Sequence, residues 1–578
     1  MSWNKSRMRY EGRIYALVAL AALIVRGILF ADWLHSPLRF FHQVPGLDMM
    51  TLLRFGEWGG DGVVIFAPHR MLVALLWNLN GGIHPVALLA VIQLLCGTAV
   101  ALMTSYAAFR LWGDRKAALF SGLIAALSAP GVMYELTMLQ ETLVLFTFSA
   151  SFAGILWARK HRFLPWYGAT AGALLGLASI GRPTALLWVF AALAWSGLVL
   201  RKHGRLKRLG PLAGGVLAVW LLVSGLNWFC AGYAGPFYNV FGYSATVNAT
   251  PAGEEEGEAV VTAASVTADS PAGKLFRIGS NAVLRLPKVF LAHEIPDNMN
   301  YYFVREYFPA LKLLIGPGLL VPFALAGLVL ALVFRRFLRR EGVILLAVFA
   351  LALPICANYP VGRYRLILLA PFALLAVEAF RLGLAKPRKV RLAAAAAILA
   401  AAFLVNPPPE GRLLRSTDFV AWALALEQPS GRVNSESLAT LVDGYRFSGS
   451  EKVAMNLLIR LIGLREFDTA ERLIADALSG GKVNPSLLCY YGALIRLERG
   501  DAPAAEALLD RVVPEQLGDL VIKYDFMRGE LARRKGEVDE ARRRFRKALA
   551  EPDPFGFRPV IENALRKLEE SASLPAQK

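Results

Sequence analysis

Residues 201–233 read RKHGRLKRLGPLAGGVLAVWLLVSGLNWFCAGY, a basic cluster followed by an apolar run long enough to cross a bilayer. The same arrangement recurs through the first 406 residues, where two apolar runs separate each Lys/Arg cluster from the next. All the clusters therefore lie on one side of a membrane, and the excess of Lys and Arg in cytoplasmic loops assigns that side to the cytoplasm. The six clusters occupy residues 5–13, 110–116, 159–162, 201–208, 335–340 and 381–391.

The composition favours a membrane protein over a nucleic-acid-binding one. Mean hydropathy is +0.45 and 56% of the 578 residues are hydrophobic, well above the average for a soluble domain. The net charge of +19 is concentrated at the ends of apolar runs, where it suits anionic membrane lipid. No groove-reading or base-stacking motif accompanies this charge, so we expect no nucleic-acid partner.

Eleven apolar runs, each near the roughly 20 residues that cross a bilayer, predict an all-α polytopic membrane domain over residues 1–406. The pair 166–181 and 183–200 is short and leaves a ten-span alternative open. If residues 166–200 form two spans, the third and fourth basic clusters lie on the same side of the membrane, which favours a total of eleven spans. We therefore expect a multi-pass protein of a bacterial-type inner membrane, with a cytoplasmic N-terminus. The runs are 14–32, 85–109, 117–134, 138–158, 166–181, 183–200, 211–233, 312–334, 342–359, 363–380 and 389–406.

The apolar runs stop at Asn406-Pro407-Pro408-Pro409, and an internal repeat follows in residues 407–578. Ala470, Ala505 and Ala541 are 35 and 36 residues apart, close to the 34-residue period of tetratricopeptide repeats. The last unit is the clearest, with Gly529, Gly536, Ala541, Phe545 and Ala548 at the helix-contact positions of that repeat. The pattern predicts a soluble domain of tetratricopeptide-like helical repeats that binds another protein. Because eleven spans separate it from a cytoplasmic N-terminus, we expect this domain to be extracytoplasmic. A generic array of helical hairpins is the alternative.

Asp48 is the first candidate for chemistry. It lies in Pro45-Gly46-Leu47-Asp48-Met49-Met50, in the outer loop that follows the first apolar run. A carboxylate at the outer membrane–water boundary can act as a general base on an acceptor hydroxyl. A solvated loop acid is the alternative.

Asp48 belongs to a series of short motifs along the membrane domain. The motifs are Arg26 in the first run, Asp48, Phe66-Ala67-Pro68, Met133-Tyr134-Glu135 through Gln140-Glu141-Thr142, Gly176 through Gly181-Arg182-Pro183, and Gly362-Arg363-Tyr364-Arg365-Leu366. In this order and on these predicted sides of the membrane, they resemble the GT-C glycosyltransferases. The closer resemblance is to the protein mannosyltransferase and aminoarabinose transferase branch (glycosyltransferase family 39-like), over about residues 10–380.

The resemblance implies an enzyme that takes a sugar from a polyprenyl-phosphate donor on the outer face and passes it to a protein or glycolipid acceptor. Asp48 would be the general base. Glu135 or Glu141 would be a second acid that binds acceptor or a divalent cation. The leaving lipid phosphate would be stabilised by cationic side chains, for which Arg182, Arg363 and Arg365 are the candidates. For Arg363 and Arg365, an interfacial contact with lipid headgroups is the alternative.

His293 and Glu294 lie in the second long outer loop, where the resemblance implies a contact with the donor phosphate or a metal. No His and acid are paired at helical spacing there, so the sequence predicts no metal ligand set. For Pro296-Asp297-Asn298 a turn or capping role is expected.

Two other classes of function remain open. A non-enzymatic scaffold would use the repeats to recruit envelope proteins, but it would leave the outer acids unexplained. A lipid-linked glycan transporter would place ionisable residues at mid-membrane depth, and Arg26 is one of few charges inside an apolar run.

Overall fold

The computed structural model describes residues 2–50, 68–80, 86–231, 235–237, 282–334, 341–357, 360–384, 387–406, 413–554 and 556–573. Within these ranges the regular structure is helical, and the only β-type pairing is one isolated bridge between Ser128 and Ile315. Residues 51–67, the segment 249–273, the basic cluster 335–340 and Pro407–Pro409 lie outside the described residues. The chain separates into two compact units, Met1–Leu414 and Arg415–Lys578.

The first unit consists of long apolar helices and a few short ones. In chain order they are α1 (Ser2–Leu34), α2 (Pro68–Leu79), α3 (Val86–Trp112), α4 (Arg115–Ala126), α5 (Ala129–Glu135), α6 (Glu141–Lys160), α7 (Pro165–Gly181), α8 (Leu186–Lys202), α9 (Leu209–Ala231), α10 (Tyr301–Tyr307), α11 (Pro317–Val333), α12 (Gly342–Ala357), α13 (Gly362–Arg365), α14 (Leu369–Leu384) and α15 (Arg388–Val405).

Five helical segments in the described part of the chain are long and apolar enough to cross a membrane. They are Gly12–Leu34, Val86–Trp112, Glu141–Lys160, Pro183–Lys202 and Leu206–Phe229. Three shorter apolar helices are Pro317–Val333, Gly342–Ala357 and Arg391–Val405. The all-α class is therefore confirmed for the described residues, and five of their helices could cross a membrane by length and composition. The count of eleven crossings stays a prediction.

The third predicted run, 117–134, is wrong as one continuous helix. It is divided between α4, of 12 residues, and α5, of 7 residues. The Ser128 hydroxyl accepts a hydrogen bond from the Gly131 N–H at the start of α5, and Pro130 lies in its first turn. At the break, the Ile315 N–H donates to the Leu127 carbonyl at 2.8 Å, and the Ala129 N–H donates to the Ile315 carbonyl at 2.9 Å. The backbone groups that the break releases from the helix are thus satisfied within the protein.

Small residues allow the apolar helices to approach closely. A Cβ at Gly172 of α7 would lie 2.0 Å from the Leu212 carbonyl oxygen of α9, and one at Gly215 would lie 2.1 Å from the Ala169 carbonyl oxygen. Only glycine fits at both positions, so α7 and α9 pack backbone against backbone. Helices in lipid associate in this way because the gain comes from close packing.

The second unit is a succession of antiparallel helix pairs. Its helices are α16 (Ser416–Glu427), α17 (Ser435–Ser448), α18 (Glu451–Gly463), α19 (Phe467–Gly480), α20 (Pro485–Glu498), α21 (Ala502–Leu509), α22 (Val521–Arg534), α23 (Val538–Ala550) and α24 (Arg558–Ser573).

The repeat register read from the sequence is visible in the packing of this unit. Ala470, Ala505 and Ala541 are all completely buried, each in the second helix of a pair. Phe545 is also completely buried, and a Cβ at Gly529 would lie only 2.5 Å from its ring. These contacts fit helical repeats of this register, and the tetratricopeptide name stays a resemblance. The prediction for Gly536 is wrong: among the described residues it has no neighbour within 4 Å of a built Cβ, and it lies at φ = +78° in the turn between α22 and α23, where glycine is favoured.

Candidate functional site

The names first and second outer loop denote the segments after α1 and before α10, whose side of the membrane stays a prediction. The first of them meets the Gly362–Leu366 element at Asp48. Arg363 Nη1 donates to Asp48 Oδ2 at 2.6 Å, although the two residues are 315 positions apart. The Asp48 side chain is 51% exposed and that of Arg363 is 12% exposed. A half-exposed carboxylate therefore rests on a largely buried guanidinium. This leaves Asp48 open to a molecule approaching from outside the unit.

The sequence around Asp48 explains why its side chain is exposed. Gly46 has φ = +84°, a left-handed conformation that favours glycine, and it turns the chain just before Asp48. Val44 and Met49 are buried on either side of this turn. With its neighbours held in the core, the intervening turn presents Asp48 outward.

Arg363 is surrounded by acids and by an aromatic ring. Its Nε lies 2.5 Å from Asp297 Oδ2, and its Nη2 donates to the Tyr364 hydroxyl at 3.2 Å. It also interacts electrostatically with Glu141, which is 2% exposed at the start of α6. The helix α13 thus places one guanidinium among three carboxylates.

Arg182 forms the opposite side of the same cluster. Its guanidinium lies 4.0 Å from the centroid of the Tyr364 ring, a cation–π contact, and its Nη2 lies 3.5 Å from Glu141 Oε1. Arg182 follows the last residue of α7, in the Gly181-Arg182-Pro183 connection. The structure therefore brings together Asp48, Glu141, Arg182 and Arg363 from four segments of the sequence.

Arg365 holds the second outer loop, and none of its contacts in the described residues is with Asp48. Its Nη1 donates to the carbonyls of Leu291 (2.8 Å) and Lys288 (3.3 Å), and its Nη2 donates to the His293 carbonyl at 2.6 Å. Glu294 Oε2 lies 3.4 Å from the same nitrogen. All four of these contacts are with the loop. His293 contributes its carbonyl and Glu294 its carboxylate.

The second outer loop is also fixed by Glu294 and Tyr302. The Glu294 N–H donates to the Tyr302 hydroxyl at 3.0 Å, and burial raises the pKa of this tyrosine to about 12, so the phenol stays neutral. A Cβ at Gly362 would meet the Glu294 carboxylate, and the Gly362 N–H donates to the Ile295 carbonyl at 2.9 Å. The glycine of the Gly-Arg-Tyr-Arg element thus lets the loop lie directly on α13.

Glu135 is not part of the Asp48 cluster. It is 2% exposed, and Arg26 Nη2 donates to its Oε1 at 2.6 Å. A Cβ at Gly97 of α3 would overlap this carboxylate, so α1, α3 and α5 meet around it. Of the two candidates for a second acid, the structure brings only Glu141 close to Arg182 and Arg363.

Two residues of the site were given only a turn role from the sequence. Asp297 contacts Arg363, and Asn298 exchanges two hydrogen bonds with Asp48. The cap of α10 is instead Asn300, whose side chain accepts hydrogen bonds from the N–H groups of Tyr302 and Phe303. The sequence signal that could have pointed to their role in the site was an acid followed by an amide, next to the aromatic stretch of this loop.

Two features of the described residues bear on the binding of a metal or a small ligand. Among them, no group of three or more His, Cys, Asp or Glu side chains is placed to hold a metal ion. A cavity of about 50 Å³ lies beside Glu294 and Arg365, lined mainly by apolar side chains such as Leu320 and Phe372. This volume accommodates water rather than a sugar ring. A divalent cation at Glu141 rests on the resemblance alone, as one of the two roles implied for a second acid.

Comparison of the chain with protein-family models and with curated proteins finds no match.

Proposed function

We propose that this protein is an integral-membrane glycosyltransferase that moves a sugar from a polyprenyl-phosphate donor to a protein or glycolipid acceptor on the extracytoplasmic face. One observation carries the proposal. Asp48 and Arg363, which belong to the two ends of the resemblance to GT-C enzymes, meet at 2.6 Å in a partly open cluster. Such a pair supplies a base for the acceptor and a cation for the phosphate.

In the proposed reaction Asp48 takes the proton of the acceptor hydroxyl. The acceptor oxygen forms a bond to the anomeric carbon of the sugar, and the bond from that carbon to the phosphate oxygen breaks. The products are the glycosylated acceptor, polyprenyl phosphate and protonated Asp48, which returns its proton to solvent. The exposure of the Asp48 side chain is consistent with this exchange.

Arg182 and Arg363 are suited to the leaving phosphate because each has N–H groups that no hydrogen bond in the described residues uses. A guanidinium has five N–H groups. In the described part of the chain, Arg363 donates to Asp48 and to the Tyr364 hydroxyl and forms an ion pair with Asp297, and Arg182 contacts Glu141. Planar N–H pairs bind phosphate oxygens bidentately. Arg365, by contrast, already contacts three carbonyls and a carboxylate, which supports a loop-positioning role for it.

The test is bond cleavage by the purified protein in lipid vesicles. A polyprenyl phosphate carrying a radiolabelled sugar is supplied with candidate peptide and glycolipid acceptors, and free polyprenyl phosphate and labelled acceptor are quantified. We expect both products to appear together and only when an acceptor is present. Movement of the intact lipid-linked sugar across the bilayer without cleavage would contradict the proposal.

A lipid-linked glycan transporter is the second candidate, because Arg26 and Glu135 form a buried ion pair among the apolar helices. Ionisable residues within a membrane domain often mark transport pathways. However, Arg26 also donates to the Ala126 carbonyl at 3.1 Å and the Ala22 carbonyl at 3.3 Å, which supports a structural role for the pair.

The C-terminal repeats support a partner protein as part of the function. Stacked helical repeats offer an extended surface for binding another chain. We propose that they bring an envelope protein, either the acceptor or a component that delivers it, to the membrane unit. A scaffold without activity would retain this binding and lack the cleavage described above.

A further inference from the structure

We infer that Asn298 is a positioning residue for Asp48, and that it leaves Asp48 Oδ1 as the oxygen that accepts the proton. The inference rests on the proposed function, which assigns Asp48 as the base. The second outer loop, through Asn298, would then orient Asp48, which lies in the first outer loop.

The contact is reciprocal and fixes the orientation of the carboxylate. The Asp48 N–H donates to Asn298 Oδ1 at 3.1 Å, and Asn298 Nδ2 donates back to Asp48 Oδ2 at 2.7 Å. One amide therefore binds both the backbone and the side chain of the same residue. The bond from the backbone N–H fixes the Asn298 amide relative to residue 48, and the bond from that amide to Oδ2 then limits rotation of the carboxylate.

The two oxygens of Asp48 are not equivalent. Oδ2 accepts from both Asn298 Nδ2 and Arg363 Nη1, at 2.7 and 2.6 Å. Oδ1 accepts no hydrogen bond from the described part of the chain. Because hydrogen bonds to an ionised oxygen lower its basicity, Oδ1 is the better proton acceptor. Since the side chain is half exposed, an acceptor hydroxyl can reach it.

Asn298 is itself held by the loop on which it lies. Asp297, its neighbour, contacts Arg363, and the Ile295 carbonyl accepts from the Gly362 N–H. The loop and α13 thus present Asn298 and Arg363 to Asp48 together. General-base catalysis depends on such orientation, because a misplaced base loses much of its effect.

The test uses the full chain in lipid vesicles with the labelled polyprenyl-phosphate sugar and an acceptor that the wild type uses. Asn298→Ala should lower kcat about 10- to 100-fold with little change in the KM for the donor. Asn298→Asp keeps the acceptor oxygen for the Asp48 N–H and replaces the donating NH₂ with a second carboxylate oxygen. It should lower kcat at least as much. Asn300→Ala, which removes the α10 cap in the same loop, should leave kcat per folded molecule unchanged.

Each variant is also made in an Asp48→Asn background. If Asn298 acts only through Asp48, adding Asn298→Ala there should lower the rate no further. Wild-type kcat in both Asn298 variants, or an equal loss with and without Asp48, would overturn the inference. If Asn298→Ala does not fold, the near-isosteric Asn298→Asp decides the result alone. Full activity of Asp48→Asn by itself would instead refute the proposed function.

Discussion

At the scale of single residues, the Arg26–Glu135 pair shows how a charge is tolerated among apolar helices. Both side chains are 3% exposed and separated by 2.6 Å, and the pair joins α1 to α5. Removing one member of a buried pair leaves the other charge without compensation and costs about 3–5 kcal/mol. Replacing both with apolar residues of similar size is often neutral.

We therefore predict that Arg26→Met or Glu135→Leu alone lowers the melting temperature of the detergent-solubilised protein strongly. The double variant should recover most of the loss. The measurement is a thermal unfolding series monitored by size-exclusion chromatography. A double variant as unstable as the worse single one would show that the bonds to the Ala22 and Ala126 carbonyls, not the charge pairing, hold these helices together.

At the scale of elements, the α22–α23 pair depends on one aromatic side chain filling the space over a glycine. Phe545 is completely buried against Gly529. Phe545→Ala should lower the free energy of unfolding of this unit by about 3–5 kcal/mol, because it leaves a cavity. Urea unfolding of Arg415–Lys578, followed by circular dichroism, measures the change. The exposed Val560→Ala serves as the control and should shift the value by less than about 0.5 kcal/mol. Equal effects of the two changes would contradict this packing.

The sequence predicted elements better than it predicted their contacts. Apolar runs became helices because hydropathy and helix length are local properties. The break in 117–134 was missed, although Ser128 and Pro130 form a helix-start signal, because hydropathy continued across it. The resemblance identified Asp48 and Arg363 separately as candidate site residues. Their pairing across 315 residues depends on how the helices pack, which no local pattern encodes. The role of Asn298 was missed, and only a turn was predicted for it, because its contact with Asp48 also depends on tertiary packing.

At the scale of the whole molecule, the basic clusters predict on which side of the membrane the C-terminal unit lies. An odd number of spans places the end of the chain opposite a cytoplasmic N-terminus. A reporter that is active only outside the cytoplasm, fused after Lys578, should therefore be active. Activity of a cytoplasm-only reporter at the same position would mean that the span count is wrong. The first place to re-examine would then be residues 166–200.

The central claim, that the molecule is a glycosyltransferase with Asp48 as its base, is tested most directly by Asp48→Asn in the sugar-transfer assay. Asparagine keeps the shape of the side chain but cannot accept the proton, so turnover should fall about 10²–10⁴-fold. The KM for the donor should change little, because Arg182 and Arg363 remain. Asp32→Asn, an exposed acid at the end of α1, should retain wild-type turnover. Near-normal transfer by Asp48→Asn would contradict the account.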